Sequence, residues 1–251
     1  MHKAIEVNEL EYSYPDGTKA LKGLNFCVAQ GESLGVIGSN GAGKTTLLLH
    51  LNGILQGEGF VKINGRKICQ KNLAAVREDV GLVFQDPDTQ LFMPTVFDDV
   101  AFGPINMGCC EREVARRVHE ALASVDMAHA AGKISHHLSF GEKKRVSVAT
   151  VLSMSPKIFV FDEPTSNLDP KHRHQLISIL KGIPMTKVVA SHDLDMIMRL
   201  TDRVLFLRNG CIAACVATED LLSQASLLEE LGFYPTFPPP VSSPTALFQS
   251  V

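Results

Sequence analysis

Gly38-Ser39-Asn40-Gly41-Ala42-Gly43-Lys44-Thr45 follows the pattern G-x-x-x-x-G-K-[ST], a spacing suited to gripping a chain of phosphates. Glycine admits backbone angles closed to other residues, so successive N–H groups can converge on one anion. Lys44 can then reach the outer phosphates, and the Thr45 hydroxyl can bind Mg²⁺. The run Thr46–Leu51 reads as a helix whose N-terminal dipole favours the same phosphates. Ser33–Ile37, just upstream, reads as a short buried strand. Strand, glycine loop and helix together predict a nucleoside triphosphate as ligand.

A second acidic element has the position such a ligand requires. Ile158-Phe159-Val160-Phe161-Asp162-Glu163 ends an apolar strand in two carboxylates, where an α/β sheet presents its ligands. Asp162 is expected to hold Mg²⁺, directly or through water, and Glu163 to polarise the attacking water. A third element is Leu138-Ser139-Phe140-Gly141-Glu142, in which Ser139 and Glu142 have the S-x-x-E spacing of a capping box. A helix is expected to start there and run through Lys143, Arg145 and Val148. A serine hydroxyl, a glycine backbone and a helix N-terminus can form a second phosphate site. The loop at 38–45 already cradles the chain's own nucleotide, so this second site is best explained by the nucleotide of another subunit.

The elements that must position these groups can be read from hydrophobic periodicity. Ile5–Tyr12 alternates as a half-buried strand, Tyr14–Gly17 is a turn, and Asn25–Val28 is another strand. Phe60–Ile63 followed by Asn64-Gly65 reads as a strand entering a hairpin. Val80–Phe84 reads as a buried strand. Glu111–Ala123 has helical spacing, with Val114, Val118 and Leu122 on one face. Residues 98–154 look mostly helical and are expected to form a lobe inserted between core strands. Ile158–Phe161, Lys187–Ala190 and Val204–Leu207 return to strand, separated by helices at Pro170–Leu180 and Leu194–Leu200. That alternation implies a parallel sheet. The fold class is therefore α/β: a P-loop core with a mainly parallel sheet, an antiparallel β subdomain and an inserted helical subdomain. Residues 1–231 are expected to form one nucleotide-binding domain, and the Pro-rich stretch 232–251 a mobile tail.

Composition narrows the function classes. The chain has 251 residues, 45% of them hydrophobic and 20% charged, with a formal net charge of −3. That charge argues against a nucleic-acid groove built on bulk basicity. No apolar run approaches the roughly 20 residues of a spanning helix, and Met1–Glu6 lacks the apolar core of a secretion signal. The six cysteines form no C-x-x-C, and most are expected to be reduced core residues. His172 and His174 are expected on a solvated helix face rather than at a metal.

With these motifs in hand, the chain resembles an ABC-transporter ATPase subunit over about Ile5 to Leu231. The resemblance makes Gly38–Thr45 Walker A, Leu138–Glu142 the signature, and Ile158–Glu163 the end of Walker B. Gln85 after Phe84 matches the Q-loop, implying contact with Mg²⁺ and with a membrane partner. Ser166-Asn167-Leu168-Asp169 matches the D-loop, although Asn167 stands where Ala is common. His192, in Ser191-His192-Asp193, matches the switch histidine at the γ-phosphate. Tyr14 matches the aromatic residue that stacks on adenine, with Tyr12 as its competitor. The implied ligand is ATP with Mg²⁺, and the implied activity is ATP hydrolysis.

The stretch Phe84–Pro104 is narrower still and resembles the energy-coupling-factor ATPases, which drive uptake of vitamins and transition-metal ions. Leu48-Leu49-His50-Leu51-Asn52-Gly53 is typical of that group and of its cobalt/nickel members. The resemblance implies a peripheral protein on the cytoplasmic face of the cell membrane and a second ATPase subunit, either an identical copy or a paralogue. It also implies integral membrane subunits docking near Gln85–Val100. Leu91, Phe92, Met93 and Val96 are the apolar residues expected to dock, the alternative being a local core under the helical lobe. The alternatives are a vitamin transporter, a soluble ABC ATPase of DNA repair or the ribosome, and a catalytically silent binding module. Repair types carry long coiled coils and ribosomal types two ATPase domains, and neither is present. A GTPase is disfavoured because no N-K-x-D occurs.

Overall fold

The computed structural model describes residues 2–224 and 228–229, so the proposed tail at 232–251 and the boundary at 231 lie outside the described residues. Strand β1 (Lys3–Ser13) pairs antiparallel with β2 (Lys19–Ala29) across the Tyr14–Gly17 turn. β1 also pairs with β4 (Glu58–Ile63), which folds through Asn64-Gly65 onto the short β5 (Arg66–Lys67). Both turn residues have positive φ, 49° and 78°, the geometry that selects Asn-Gly in a two-residue hairpin. The result is a four-stranded antiparallel sheet in the order β2-β1-β4-β5.

The second sheet has six strands in the order β10-β9-β3-β8-β7-β6. β3 (Ser33–Ile37), β6 (Val80–Val83), β7 (Ile158–Asp162), β8 (Thr186–Ala190) and β9 (Arg203–Arg208) run parallel. β10 (Cys211–Ala217) folds back antiparallel on the edge. β3, β6, β7 and β8 are buried along their whole length, as expected of parallel strands covered on both faces. Val36 on β3 and Asp162 on β7 both pair with Ala190 of β8. The strand that feeds the glycine loop and the carboxylate at the end of β7 therefore stand level, two strand spacings apart, or about 10 Å.

Helices cover the sheet. α1 (Lys44–Leu51) follows β3, and α2 (Leu73–Asp79) precedes β6. α3 (Val96–Asn106), α4 (Glu111–Ser124) and α5 (Phe140–Leu152) all fall between β6 and β7. α6 (Pro170–Lys181) and α7 (Leu194–Leu200) flank β8. One core lies between the two sheets and includes Leu47, Leu48 and Leu51 of α1. The other joins α3–α7 to the opposite face of the parallel sheet. On α4, Val114, Val118, Ala121 and Leu122 are buried, while Glu113, Arg116 and Glu120 pair on the outer face. No described helix is long and apolar enough to cross a membrane.

Three expectations need correction. Leu91 and Val96 are buried in the helical core and cannot dock a partner, whereas Phe92 is 59% exposed. The cysteines are free, but only Cys27 and Cys109 are half-buried and the other four are exposed. Cys211 and Cys215 lie on the edge strand β10, and Cys69 and Cys110 cap helices, so local position outweighs the apolar sequence context. His174 is exposed as expected, but His172 is half-buried, bonded to Asp169 and packed where a Cβ on Gly141 would lie.

Candidate functional site

The loop after β3 curls tightly, and at two of its glycines there is no room for a side chain. A Cβ on Gly38 would come within 2.2 Å of the Leu207 carbonyl oxygen, and Gly43 has φ 103° with the Ala20 carbonyl 2.6 Å from its Cβ position. Gly43 caps α1, and no side chain caps that helix. Its first-turn N–H groups are thus left for an anion. Lys44 Nζ lies back over the loop, donating to the carbonyls of Gly38 (2.8 Å) and Ser39 (3.3 Å).

At the level of Asp162 the two halves meet. Thr45 Oγ1 donates to Asp162 Oδ2 at 2.7 Å. Asp162 is buried, and its Oδ1 has no hydrogen-bond partner. Burial, reinforced by the neighbouring Glu163 charge, pushes the Asp162 carboxyl above its ordinary value despite the Thr45 hydrogen bond and the charges of Lys44 and Lys144. An unsatisfied buried carboxylate oxygen beside a threonine hydroxyl fits a hard divalent cation, which would supply the missing positive charge.

Glu163 has φ 45°, an unusual backbone for a non-glycine residue and one that recurs at functional sites. Its N–H donates to the Ala190 carbonyl at the end of β8. Its Oε1 is 3.9 Å from Lys44 Nζ. Its Oε2 accepts from Ser191 Oγ (3.1 Å) and His192 N (3.3 Å), and lies 2.8 Å from His192 Nδ1. The next residue along the chain anchors His192. Asp193 caps α7 through Met196 N and accepts from Arg173 Nε and Nη2, both at 2.6 Å, and from Thr165 Oγ1.

Gly43, Lys44, Thr45, Asp162, Glu163 and His192 line one cleft of about 570 Å³, together with Tyr14, Asn40, Gly41, Thr46 and Gln85. Tyr14 Oη lies 2.9 Å from Thr46 Oγ1, whereas Tyr12 packs edge-on against His50. Of the two tyrosines, Tyr14 alone lines the cleft. Gly38, Ser39 and Ala42 build the loop behind the wall. Ser139, Phe140, Gly141, Glu142 and Asp169 do not line this cleft. Ser139 and Glu142 form the expected capping box at the start of α5, with Ser139 Oγ donating to Glu142 Oε2 at 2.7 Å. This hydrogen bond and the one from Ser139 N hold the Glu142 carboxyl below its ordinary range. Asp169 caps α6 through Lys171 N and His172 N.

Sequence reasoning missed Thr18, Lys19 and Ala20, which also line the cleft, and of the D-loop it carried Asp169 to the site where Ser166 and Asn167 are the lining residues. It also missed Lys144, which is buried beneath the cleft. A signal for Lys144 existed: it occupies a core-facing position of α5, one turn after Gly141 and one before Val148. On the helical lobe, Phe92, Phe97, Phe102 and Ile105 are exposed, with Phe92 and Phe102 edge-to-face at 5.1 Å. Buried Asp99 accepts from both Phe92 N and Met93 N at 2.9 Å, so this apolar patch is pre-shaped.

Residues 21–166 match the family described as ABC transporter. An ABC transporter ATP-binding protein of Geobacter sulfurreducens is 53% identical over 228 residues, covering 90% of this chain and 92% of the relative. The energy-coupling factor transporter ATP-binding protein EcfA of Carboxydothermus hydrogenoformans is 45% identical over 236 residues, covering 92% and 87%. Among solved structures, cbiO1 of Clostridium perfringens, part of the ABC transporter complex cbiONQ, superposes with a TM-score of 0.81 at 37% identity, covering 92% of this chain and 95% of that one. A dimeric ATP-binding cassette in a post-hydrolysis state, bound to ADP and Pi, superposes with a TM-score of 0.77 at 26% identity, covering 85% and 98%.

Proposed function

Because this chain belongs to the ABC transporter ATP-binding family and is an ATPase, we propose that it is the ATP-hydrolysing subunit of an energy-coupling-factor-type importer. It works in a pair of ATPase subunits at the cytoplasmic face of the membrane. One observation carries this reading: Lys44, Thr45, Asp162, Glu163 and His192 converge on one cleft that Ser139–Glu142 do not line. The phosphate-binding groups of the chain are thus divided between two places. Head-to-tail pairing would bring Ser139–Glu142 of one copy over the nucleotide of the other, and the dimeric form of a structural relative supports that arrangement.

In this reading ATP lies along the 38–45 loop with its adenine against Tyr14, and Lys44 turns from its carbonyls to the outer phosphates. Thr45, Asp162 and Gln85 would hold Mg²⁺, which screens phosphate charge when bound. Glu163 accepts a proton from the attacking water as the γ-phosphorus gains that oxygen and the bond to ADP breaks. His192, anchored through Asp193 and Arg173, orients Glu163 and contacts the γ-phosphate. Loss of that phosphate removes the bridge to the partner's Ser139 segment, and the pair opens. The change is a population shift driven by ATP's higher affinity for the closed pair.

Opening and closing pass to the membrane subunits through the Gln85–Val100 region. Exposed Phe92 and the adjoining Phe102 and Ile105 take the place of buried Leu91 and Val96 as contacts. Cobalt or nickel is the proposed solute. It is supported by the Leu48–Gly53 run and by likeness to a component of the cbiONQ complex. The test is purification from membranes followed by uptake of radiolabelled Co²⁺ and Ni²⁺ in cells with and without the gene. Co-purifying integral subunits and a loss of metal uptake are expected. Recovery without membrane partners would overturn the transporter reading, and intact metal uptake would overturn the solute.

A further inference from the structure

We propose that Lys144 is a positioning residue for hydrolysis: it ties the Gln85 and Glu163 loops to the helix that begins at Ser139, so that a phosphate docking on that helix sets this chain's own Glu163. Lys144 is 1% exposed, among the largest fully buried side chains of the described residues. Its Nζ donates to the carbonyl of Gln85 at 2.6 Å, the carbonyl of Glu163 at 3.1 Å and Ser166 Oγ at 3.4 Å. An ammonium has three N–H groups, and here they reach three acceptors on two separate loops. None of the acceptors is a carboxylate. The carboxylates of Glu163, Asp162 and Asp86 favour the charge without bonding to it, yet burial outweighs them and holds the ammonium down to about 8; an apolar residue would fill the same volume without that cost. A merely structural role therefore does not account for the choice of lysine.

The connection is reinforced on both sides. Gln90, five residues after Gln85, donates from its amide to the Ser147 carbonyl (2.9 Å) and Thr150 Oγ1 (2.7 Å) on α5, and its Oε1 accepts from Phe84 N. Ser166 Oγ donates to the same Glu163 carbonyl that Lys144 holds. The Lys144 ammonium also lies 5.6 Å from the ring centroid of Phe140, at the start of α5. A shift of the α5 N-terminus is thus carried along one rigid helix to the main chains of Gln85 and Glu163. A displacement of about 1 Å at a reacting group can change a rate about 10²-fold. The coupling between subunits rests on the two-subunit reading above; the positioning of Glu163 does not.

The test compares Lys144→Met, which keeps length without donors, with Lys144→Gln, which restores donors without charge. ATP binding, kcat, KM, the Hill coefficient and the thermal midpoint are measured on the full chain. The expected result is a KM for ATP within about threefold of the parent, a kcat lowered at least tenfold and a Hill coefficient near 1 in Lys144→Met, with kcat partly restored in Lys144→Gln. Unchanged kcat in Lys144→Met overturns the proposal. So does a loss of kcat that follows ATP binding and thermal midpoint together and is not relieved by Gln. If Lys144→Met does not fold, kcat of a folded Lys144→Gln decides: a value within threefold of the parent at unchanged ATP binding supports donor-based positioning, and a larger loss overturns it. A parent Hill coefficient of 1 would count against the two-subunit reading, and the kcat-against-KM split would still judge the positioning role.

Discussion

Glu163 Oε2 lies 2.8 Å from His192 Nδ1, although the two residues follow different strands, β7 and β8. The same carboxylate oxygen accepts from Ser191 and from the His192 backbone, so Glu163 is held at a fixed angle before any water arrives. Glu163→Gln preserves the shape and removes the proposed base. The expected outcome is ATP affinity within a few-fold of the parent, hydrolysis lowered about 10²–10⁴-fold, and an ATP-stabilised dimer. Phosphate release and sedimentation with ATP check it, and an unchanged rate removes Glu163 from its role.

Asp162 is a case where function and stability oppose each other. Burial raises its carboxyl above the ordinary value, so the fold disfavours its charged form relative to the unfolded chain. Stability from this group is therefore highest at low pH and falls as pH rises past the ordinary carboxylate value. Asp162→Asn is expected to leave the metal-free thermal midpoint unchanged or higher, while ATPase activity is lost and Mg²⁺ no longer adds to the stabilisation by ATP. Thermal melts with ATP, with and without Mg²⁺, make the comparison.

Arg173 acts on His192 at second hand, through Asp193. Burial alone would raise the Asp193 carboxyl, but the hydrogen bonds and charge of Arg173, together with the hydrogen bonds from Met196 N and Thr165, outweigh it and hold the group below the usual range. Stability from this pair is full above the unfolded carboxylate value of about 4 and is lost as pH falls through the lower folded value. Arg173→Ala is expected to cost about 1–3 kcal/mol at pH 7, with a deficit that narrows as pH drops below about 4. Hydrolysis is expected to fall while ATP binding holds. Urea midpoints across pH and steady-state kinetics supply both readouts.

Phe92 is the exposed anchor of the apolar patch on the helical lobe. Burying a phenylalanine at the centre of an interface commonly contributes about 2 kcal/mol or more. Phe92→Asp is expected to leave ATP hydrolysis by the isolated chain within about twofold and to abolish co-purification with membrane subunits. Retained co-purification would move the docking surface elsewhere.

The sequence made the nucleotide loop, the strand ends and the Ser139–Glu142 cap legible because each depends on local chemistry. Continuous apolar runs such as Ile158–Phe161 announce buried parallel strands, and Ser-x-x-Glu announces a helix start. What escaped depends on packing. α2 is seven residues long and ends in three charged ones, Arg77, Glu78 and Asp79, too short for its periodicity to register. β10 alternates half-exposed small residues on a sheet edge, a weak strand signal. Leu91 and Phe92 are neighbours of similar hydrophobicity, and only the three-dimensional path of the chain sends one inward and the other out. The three acceptors of Lys144 come from Gln85, Glu163 and Ser166, which lie 19 to 59 residues away in sequence.

The central claim is that each ATP is completed by two chains, Lys44 from one and Ser139 from the other. It is tested most directly by mixing two inactive variants, Lys44→Ala and Ser139→Arg. In a mixed pair both lesions fall in one site and leave the other intact. Phosphate release from the mixture is therefore expected to rise several-fold above that of either variant alone. A mixture as inactive as its two components would contradict the shared site.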